Sequence, residues 1–198
     1  MHGAKDDLYR NYHDQEWGKP IYDDETIFEF LILESFQAGL SWYTILAKRE
    51  NFRAAFDQFD YQKIAQYSEG KVEELIQNAG IIRNRLKILA TINNAQKFME
   101  VQKEFGSFSK YIWGFVNHEP IINRPKTLKE VPATTEISDA LAKDLKKRGF
   151  KFMACIFLLK NRSDIICISH HNLQQGVKRR QSTQEKRSNQ AEVENSSN

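Results

Sequence analysis

The stretch "NAGIIRNR", Asn78 to Arg85, decides the fold. It lies between two segments with helical spacing of apolar residues, "GKVEELIQ" before it and a longer one from about Asn84 to Phe105 after it. A short connection of this kind can expose consecutive backbone N–H groups beside the start of the second helix. Such donors, together with the positive end of that helix, suit an anion such as a DNA phosphate. The residues alone also allow a simpler interpretation, a helical corner with a solvated basic first turn.

Positive charge follows the glycine of this hairpin at Arg83, Arg85 and Lys87. These cations would bind backbone phosphates without reading base sequence. The net charge of the whole chain is only +3, and the surplus lies from Lys160 onward, so residues 1–159 are neutral overall. A basic surface on the body of the protein must therefore be a local patch.

The remaining chain is also patterned as helix, and no alternating strand pattern competes with it. Asp24 is expected to cap a helix from about Glu25 to Ala38, which Gly39 ends. Ser41 then caps a second helix that runs to near Phe56. The other expected features are N-caps at Asp60 and Ser68, a core face on the long helix (Leu86, Ile88, Leu89, Ile92, Ala95, Phe98), a short helix in "SFSKYIWGFV", a loop over 117–135 with a capping box at Thr127 and Glu130, and a helix over Glu136–Arg148 ended by Gly149.

Composition places the chain among proteins of a reducing compartment. With 198 residues and 40% hydrophobic content, it can bury a core in one or two domains. The two cysteines, Cys155 and Cys167, do not make a disulfide scaffold. The N-terminus lacks the apolar region of a secretory signal, and runs such as "FLIL" are too short to cross a membrane. We expect a cytoplasmic protein without membrane association.

One carboxylate, Glu34, stands in the otherwise apolar run "LILESFQAGLSW". Phe30 and Leu31 precede it by one helical turn and Ala38 follows it by one, so its face of the helix is substantially apolar. A buried carboxylate is costly unless it is hydrogen-bonded or paired with a cation. Glu34 therefore either bonds a neighbouring backbone group or arginine, or lines a pocket that receives a positively charged ligand.

The segment "YHDQEWG", Tyr12 to Gly18, concentrates tyrosine, histidine and tryptophan. With Trp42 and Tyr43 these side chains could form an aromatic slot with stacking surfaces and hydrogen-bonding groups. The alternative is an N-terminal arm anchored by aromatic side chains, in which His13 has a structural role.

Together these motifs resemble the bacterial DNA-3-methyladenine glycosylase type I family of the helix-hairpin-helix superfamily. The resemblance rests on "YHDQEWG", "ESFQAGLSW", "KRENFRAAF", "NAGIIRNRLKI", "FVNHEP" and "SDALAKDLKKRGFKF", in order over about Leu8 to Phe152. It implies an all-α helix-hairpin-helix glycosylase fold. It also implies a monofunctional base-excision enzyme, which flips 3-methyladenine from alkylated double-stranded DNA and hydrolyses its glycosidic bond. We expect the protein to act as a monomer.

The resemblance assigns roles to individual residues. It places Glu34 at the floor of the base pocket and Tyr12, Trp17 and Trp42 at base-contacting positions. The turn with Gln37, Gly39 and Leu40 is expected to enter the gap left by the flipped nucleotide, and Lys87 is expected to contact a phosphate. The positions expected to hold the DNA backbone are Gly80, Ile81, Ile82, Arg83, Asn84 and Arg85. The aspartate that the wider superfamily places beyond the hairpin is absent, since that region has Glu100 and Glu104.

The two ends of the chain depart from the family. Relatives carry a structural zinc held by an N-terminal cysteine, the histidine that matches His13, and a C-terminal histidine and cysteine. No cysteine precedes His13, and Cys167-x-x-His170 matches the missing ligands only by chance spacing, so we expect zinc to be weakly held or absent. The expected organisation is a glycosylase domain over 1–152, with the helix-hairpin-helix at about 69–105, and a divergent tail over 153–198 with the composition of disorder. Altered ends leave two alternatives: an inactive DNA-binding remnant of the family, and an all-α interaction protein.

Overall fold

The structure is a computed structural model that describes residues 3–119 and 135–153. Within these two ranges all regular elements are helical, which confirms the expected all-α class. No helix in them is long and apolar enough to cross a membrane. The elements are α1 (Gly3–Gln15), α2 (Asp24–Gln37), α3 (Trp42–Leu46), α4 (Arg49–Ala55), a 3₁₀ turn (Asp57–Phe59), α5 (Tyr61–Ile64), α6 (Glu69–Gln77), α7 (Arg85–Phe105), α8 (Phe108–Gly114) and α9 (Glu136–Lys147).

Helix α2 lies at the centre of the core. Ten of its 14 residues are buried, and it contacts α3, α7 and α8. A helix that is apolar on nearly every face is stable only when other elements enclose it. The enclosing side chains are mainly aromatic, and burial of each stabilises the fold by about 1.5–3 kcal/mol. The fully buried phenylalanines are Phe28, Phe36, Phe52, Phe56, Phe59, Phe98 and Phe108.

The N-cap of α2 is one residue earlier than the sequence predicted. The Asp23 carboxylate accepts the backbone N–H of Thr26 at 2.7 Å. Asp24 instead accepts the backbone N–H groups of Phe108 and Ser109, at 2.9 and 2.7 Å, at the start of α8. Two adjacent aspartates are equivalent by local rules, and only the packing of α8 against α2 distinguishes their roles.

Local start and stop signals were otherwise mostly correct. Ser41 caps α3 and Asp60 caps α5 through their side chains, whereas Ser68 precedes α6 without a side-chain hydrogen bond. The single helix expected from Ser41 to Phe56 is two helices, α3 and α4, which are separated by Ala47 and Lys48. Helix α9 has the predicted span and ends before Gly149. The suggested capping box at Thr127 and Glu130 and the tail from residue 154 lie outside the described residues.

Helix α7, Arg85–Phe105, agrees with the predicted range of about Asn84 to Phe105, but the prediction of its buried face was partly wrong. Leu86 and Leu89 are 66% and 39% exposed. The neighbouring face is the buried one, although it contains the polar side chains of Lys87 and Asn94. These polar groups turn inward because they have partners there, such as the backbone N–H of Lys151, which donates to the Asn94 side chain at 2.8 Å.

Candidate functional site

The central acid, Glu34, lies in the penultimate turn of α2. Its Oε1 atom is buried and has no hydrogen-bond partner among the described residues, while the residue as a whole keeps intermediate exposure. Burial raises the pKa of Glu34 well above its ordinary value because removal from water disfavours the charged form. The two arginines of α4, Arg49 and Arg53, both bond Glu29, and Glu34 forms no ion pair within the described residues. Glu34 is therefore an acid that lacks the compensation a structural carboxylate normally has.

A second buried polar atom without a partner lies on the adjoining helix α3. The Trp42 side chain is buried, and its Nε1–H finds no acceptor within the described ranges. The Trp42 ring stacks on Phe30 at a centroid distance of 6.4 Å and packs against Tyr12 at 5.5 Å. Phe30 precedes Glu34 by one turn of α2, so the aromatic cluster and the acid share one side of that helix. Two of the three aromatic residues assigned by resemblance, Tyr12 and Trp42, are thus in contact.

The third, Trp17, lies beyond the end of α1. Its backbone N–H donates to the Tyr12 carbonyl at 2.9 Å, and its ring stacks on His13 at 4.8 Å. The arm that carries it is fixed by an ion-pair network that the sequence did not reveal. Arg49 is buried and donates to Glu16 and to Glu29, each at 2.6 Å. Because Glu16 adjoins Trp17, this network holds the arm against α2 and α4.

The turn after α2 spans Gln37 to Leu40. The Leu40 N–H donates to the Gln37 carbonyl at 2.6 Å, and Gly39 has a positive φ of 85°. Glycine adopts this left-handed conformation without steric cost, whereas most residues are strained in it. Leu40 is 37% exposed. The structure thus presents an apolar side chain at a tight surface turn three to six residues after Glu34.

The hairpin between α6 and α7 has the expected open backbone. The Gly80 N–H donates to the Asn78 side chain at 2.8 Å, and the Asn84 side chain caps α7 by accepting the N–H of Lys87 at 3.2 Å. The N–H groups of Ile82 and Arg83 make no hydrogen bond within the described residues. Ile81 is buried and anchors the loop, while Arg83 is exposed.

Two side chains that the sequence analysis missed support this hairpin from α4 and the residue before it. Lys48 donates to the carbonyls of Ala79 and Gly80, at 3.2 and 3.0 Å, and the Asn51 amide donates to Gly80 at 3.3 Å. A Cβ on Gly80 would lie 2.9 Å from the Asn78 side-chain oxygen and 3.3 Å from Asn51. Gly80 is therefore required for close approach rather than for a positive φ. Contacts across some 30 residues leave no local signal in the sequence.

The hairpin cations differ from the expectation. Arg85 forms ion pairs with Glu69 and Glu73 of α6, so a phosphate would have to compete for it. The assignment of Lys87 to phosphate is wrong, because this side chain is only 6% exposed and its ammonium donates inward to the carbonyls of Phe36 and Ala38. Arg83 is the cation of this group that remains exposed without an ion pair in the described part of the chain.

The proposed metal ligand, His13, is half exposed, and its Nδ1 lies 2.9 Å from Asp14. Residues 3–119 and 135–153 bring together no group of three or more potential ligands that could hold a metal ion. A structural zinc needs four ligands, and His13 is the one position among these residues that the family resemblance assigns to such a site.

Comparison with known proteins identifies relatives of this arrangement. A family model described as methyladenine glycosylase matches residues 2–160. DNA-3-methyladenine glycosylase 1 of Escherichia coli is 51% identical over 150 residues, which cover 76% of this chain and 80% of the relative. DNA-3-methyladenine glycosylase of Haemophilus influenzae is 49% identical over 146 residues, or 74% of this chain and 79% of the relative.

Solved structures agree with the sequence relatives. A crystal structure of 3-methyladenine DNA glycosylase I superposes with a TM-score of 0.71 at 51% identity, covering 74% of this chain and 80% of that one. The Staphylococcus aureus enzyme, whose structure was determined for 3-methyladenine recognition, has a TM-score of 0.73 at 40% identity, with coverage of 76% and 80%. A variant of 3-methyladenine DNA glycosylase I in complex with 3-methyladenine has a TM-score of 0.74 at 38% identity, with coverage of 77% and 82%.

Proposed function

The chain belongs to the methyladenine glycosylase family and is a DNA-repair hydrolase of the N-glycosyl bond of 3-methyladenine, and we propose that it binds the flipped base beside Glu34. The observation that carries the proposal is the pair of buried polar atoms without partners, Glu34 Oε1 and Trp42 Nε1, on the adjoining helices α2 and α3. A base with an exocyclic amine and ring nitrogens can donate to the first atom and accept from the second.

The reaction does not need a strong general acid. Methylation at N3 makes the adenine cationic, so the C1′–N9 bond breaks with its electron pair moving to the base, which leaves neutral. Water forms the new bond to C1′ and loses its proton to solvent. The cationic base beside Glu34 would favour the ionised form of this acid. The carboxylate would then stabilise the positive charge that develops on the sugar during this step. The aromatic groups of Tyr12, Trp17 and Trp42 supply stacking surface for the base.

The turn at Gln37, Gly39 and Leu40 is suited to fill the gap in the duplex. Flipping leaves an unstacked step that must be occupied for the extrahelical state to persist. The exposed Leu40 supplies an apolar wedge, and Gly39 allows the backbone to come close to neighbouring bases. The turn directly follows the helix that carries Glu34, so wedge and acid are joined by one rigid element.

The backbone of the DNA is held at the hairpin. The unpartnered N–H groups of Ile82 and Arg83, the positive end of the 21-residue helix α7, and the exposed Arg83 side chain together suit one phosphate. No hairpin lysine is available as a Schiff-base nucleophile, because Lys87 is bonded to main-chain carbonyls. The enzyme is accordingly proposed to be monofunctional, without a strand-cleaving lyase step.

The proposal extends to the form of the DNA substrate and to the state of the protein. DNA is the partner of this family, and a wedge turn next to a base pocket has a use only where stacked bases surround the lesion. We therefore propose duplex DNA with alkylated adenine as the substrate. We further propose that the protein acts as a monomer in the bacterial cytoplasm, where chromosomal DNA lies.

Base release from methylated duplex DNA by the purified full-length protein is the decisive experiment. We expect 3-methyladenine to appear in the soluble fraction in proportion to enzyme, faster from duplex than from single strands, and without strand cleavage before alkali treatment. Salt-sensitive DNA binding without base release would instead identify an inactive DNA-binding remnant. Neither binding nor release would leave an all-α interaction protein.

A further inference from the structure

Lys87 makes an unusual contact for a lysine in the first turn of a helix. Its side chain is buried, and its ammonium donates to the main-chain oxygens of Phe36 and Ala38, each at 2.8 Å. These two carbonyls belong to the end of α2, about 50 residues earlier in the chain. Most lysines at such a position extend into water, so this contact has been built at the cost of desolvating a charge.

Lys87 supplies hydrogen-bond donors to the carbonyls at the C-terminus of α2. The last carbonyls of an α-helix lack internal partners and carry its negative partial charge. Helix α2 has no basic residue in its own last turn, so Lys87 supplies the missing cation from α7. Ala38, the C-cap, leaves the helix with φ −46° and ψ 113°. The ammonium therefore fixes the point at which the chain departs toward Gly39 and Leu40.

The same residue is joined to the hairpin through its backbone. The Lys87 N–H donates to the Asn84 side chain that caps α7, and the unpartnered N–H groups of Ile82 and Arg83 lie just before it. At the other end of the side chain, the ammonium donates to the carbonyl of Phe36, which follows Glu34 by two residues in α2. One side chain thus links the phosphate-binding hairpin to the helix that carries the acid and to the wedge turn.

We infer that Lys87 is a positioning residue, which holds the end of α2 and the wedge turn in register with the phosphate bound at the hairpin. It touches neither the base nor the DNA backbone. With the phosphate fixed at one end, the connection determines where the sugar of the flipped nucleotide lies relative to Glu34. Misplacement of reacting groups by about 1 Å can cost roughly a hundred-fold in rate. This inference rests on the proposed function of the same site.

The test compares Lys87→Arg, Lys87→Gln and Lys87→Met in the full-length protein. Arginine keeps the cation and its donors, glutamine keeps one amide donor, and methionine keeps only the apolar stem. We expect single-turnover release of 3-methyladenine at saturating enzyme to fall in that order, to roughly one-tenth to one-hundredth of the parent rate in the methionine variant. Affinity for unmodified duplex DNA should stay within about threefold, with the parent dependence on salt.

Matched controls separate positioning from phosphate binding and from general stability. Arg83→Met should weaken DNA binding and lower the slope of log affinity against log salt by about one. Lys97→Met removes a partly buried lysine of the same helix, one paired with Glu100, and should leave release unchanged. If Lys87→Met does not fold, the Arg and Gln variants decide, and equal release rates for those two would overturn the inference.

Two further outcomes also overturn it. A Lys87 variant that lowers the salt dependence of DNA binding would mean that this lysine contacts a phosphate after all. A folded Lys87→Met protein with the parent single-turnover rate would mean that the contact has no role in catalysis. Absence of base release by the parent protein is a different result, because it contradicts the proposed function itself.

Discussion

Replacement of Glu34 by glutamine changes the charge of the pocket while preserving its shape, and it should slow the reaction. A charged acceptor is worth about 1–2 kcal/mol more than a neutral one in a hydrogen bond. At an effective dielectric constant of about 20, a carboxylate stabilises a full positive charge by about 4 kcal/mol at about 4 Å and by about 2 kcal/mol at twice that distance. Part of the extra hydrogen-bond energy is already present when the base is bound in the ground state, and this part does not accelerate the reaction. The loss is therefore about 1.4–4 kcal/mol of transition-state stabilisation, or roughly ten- to a thousand-fold in rate.

The same substitution should stabilise the folded protein. Burial raises the pKa of Glu34, so the folded chain binds this proton more tightly than the unfolded chain does. Such a group contributes most to stability at acid pH, and its contribution is lost as the pH rises through the interval between the two pKa values. Glutamine is neutral and has no cost of burying a charge. The free energy of unfolding of Glu34→Gln should therefore exceed that of the parent protein by about 1–3 kcal/mol near neutral pH. The two proteins should converge as the pH falls toward about 4, the unfolded pKa of glutamate.

Single-turnover release of 3-methyladenine at saturating enzyme measures the first effect, and denaturant unfolding over a pH series measures the second. Glu25→Gln is the control, because Glu25 is an exposed acid in the first turn of the same helix. It should leave both quantities near the parent values. A folded Glu34→Gln protein with the parent rate would remove Glu34 from the site. A stability difference that does not change with pH would refute the argument from burial.

Three further predictions concern the hairpin, the wedge and zinc. Gly80→Val should weaken DNA binding about tenfold or more, with little change in single-turnover rate, because a Cβ there lies 2.9 Å from the Asn78 side chain. Gly70→Val is the control, since a Cβ at Gly70 meets only ordinary contacts. Unchanged affinity across salt concentrations would contradict the hairpin assignment. Leu40→Ala should slow release from duplex about tenfold but barely from single strands, at nearly constant melting temperature because Leu40 is partly exposed; equal losses on both substrates would exclude a wedge. Metal analysis should find substoichiometric zinc, and truncation after Leu159 should leave the thermal melt nearly unchanged; one tight zinc per chain, lost with the tail, would show a rebuilt site.

The features that the sequence predicted correctly are those with local causes. Asp60 as the N-cap of α5, Ser41 as the cap of α3 and the helix end at Gly149 all depend on groups within four residues of one another. The roles of Glu34 and Trp42 in base binding stay predictions from the family resemblance, since periodicity alone leaves Glu34 open between a structural and a ligand-binding role.

The features that the sequence missed depend on contacts between distant segments. Lys48 bonds the hairpin across about 30 residues, Arg49 bonds Glu29 across 20, and Lys87 bonds Phe36 across 51. The error at Lys87 shows the reason most clearly. A lysine after a glycine hairpin is equally compatible with a phosphate in solvent and with a helix end in the core, and only the packing of α7 against α2 brings the carbonyls of Phe36 and Ala38 within its reach.

The site departs from the rules of a stable fold at three places, and DNA can compensate each of them. The Oε1 atom of Glu34 is buried without a hydrogen-bond partner among the described residues, and a cationic base would supply the missing charge. The hairpin amides of Ile82 and Arg83 have no acceptor within residues 3–119 and 135–153, and a phosphate would supply one. Leu40 is an apolar side chain on a surface turn, and the unstacked step of a flipped nucleotide offers it an apolar environment. Glu34 has the clearest cost of the three in the isolated protein, because its Oε1 atom is buried without a hydrogen-bond partner among the described residues. Its position is better explained by selection for ligand binding than by selection for stability.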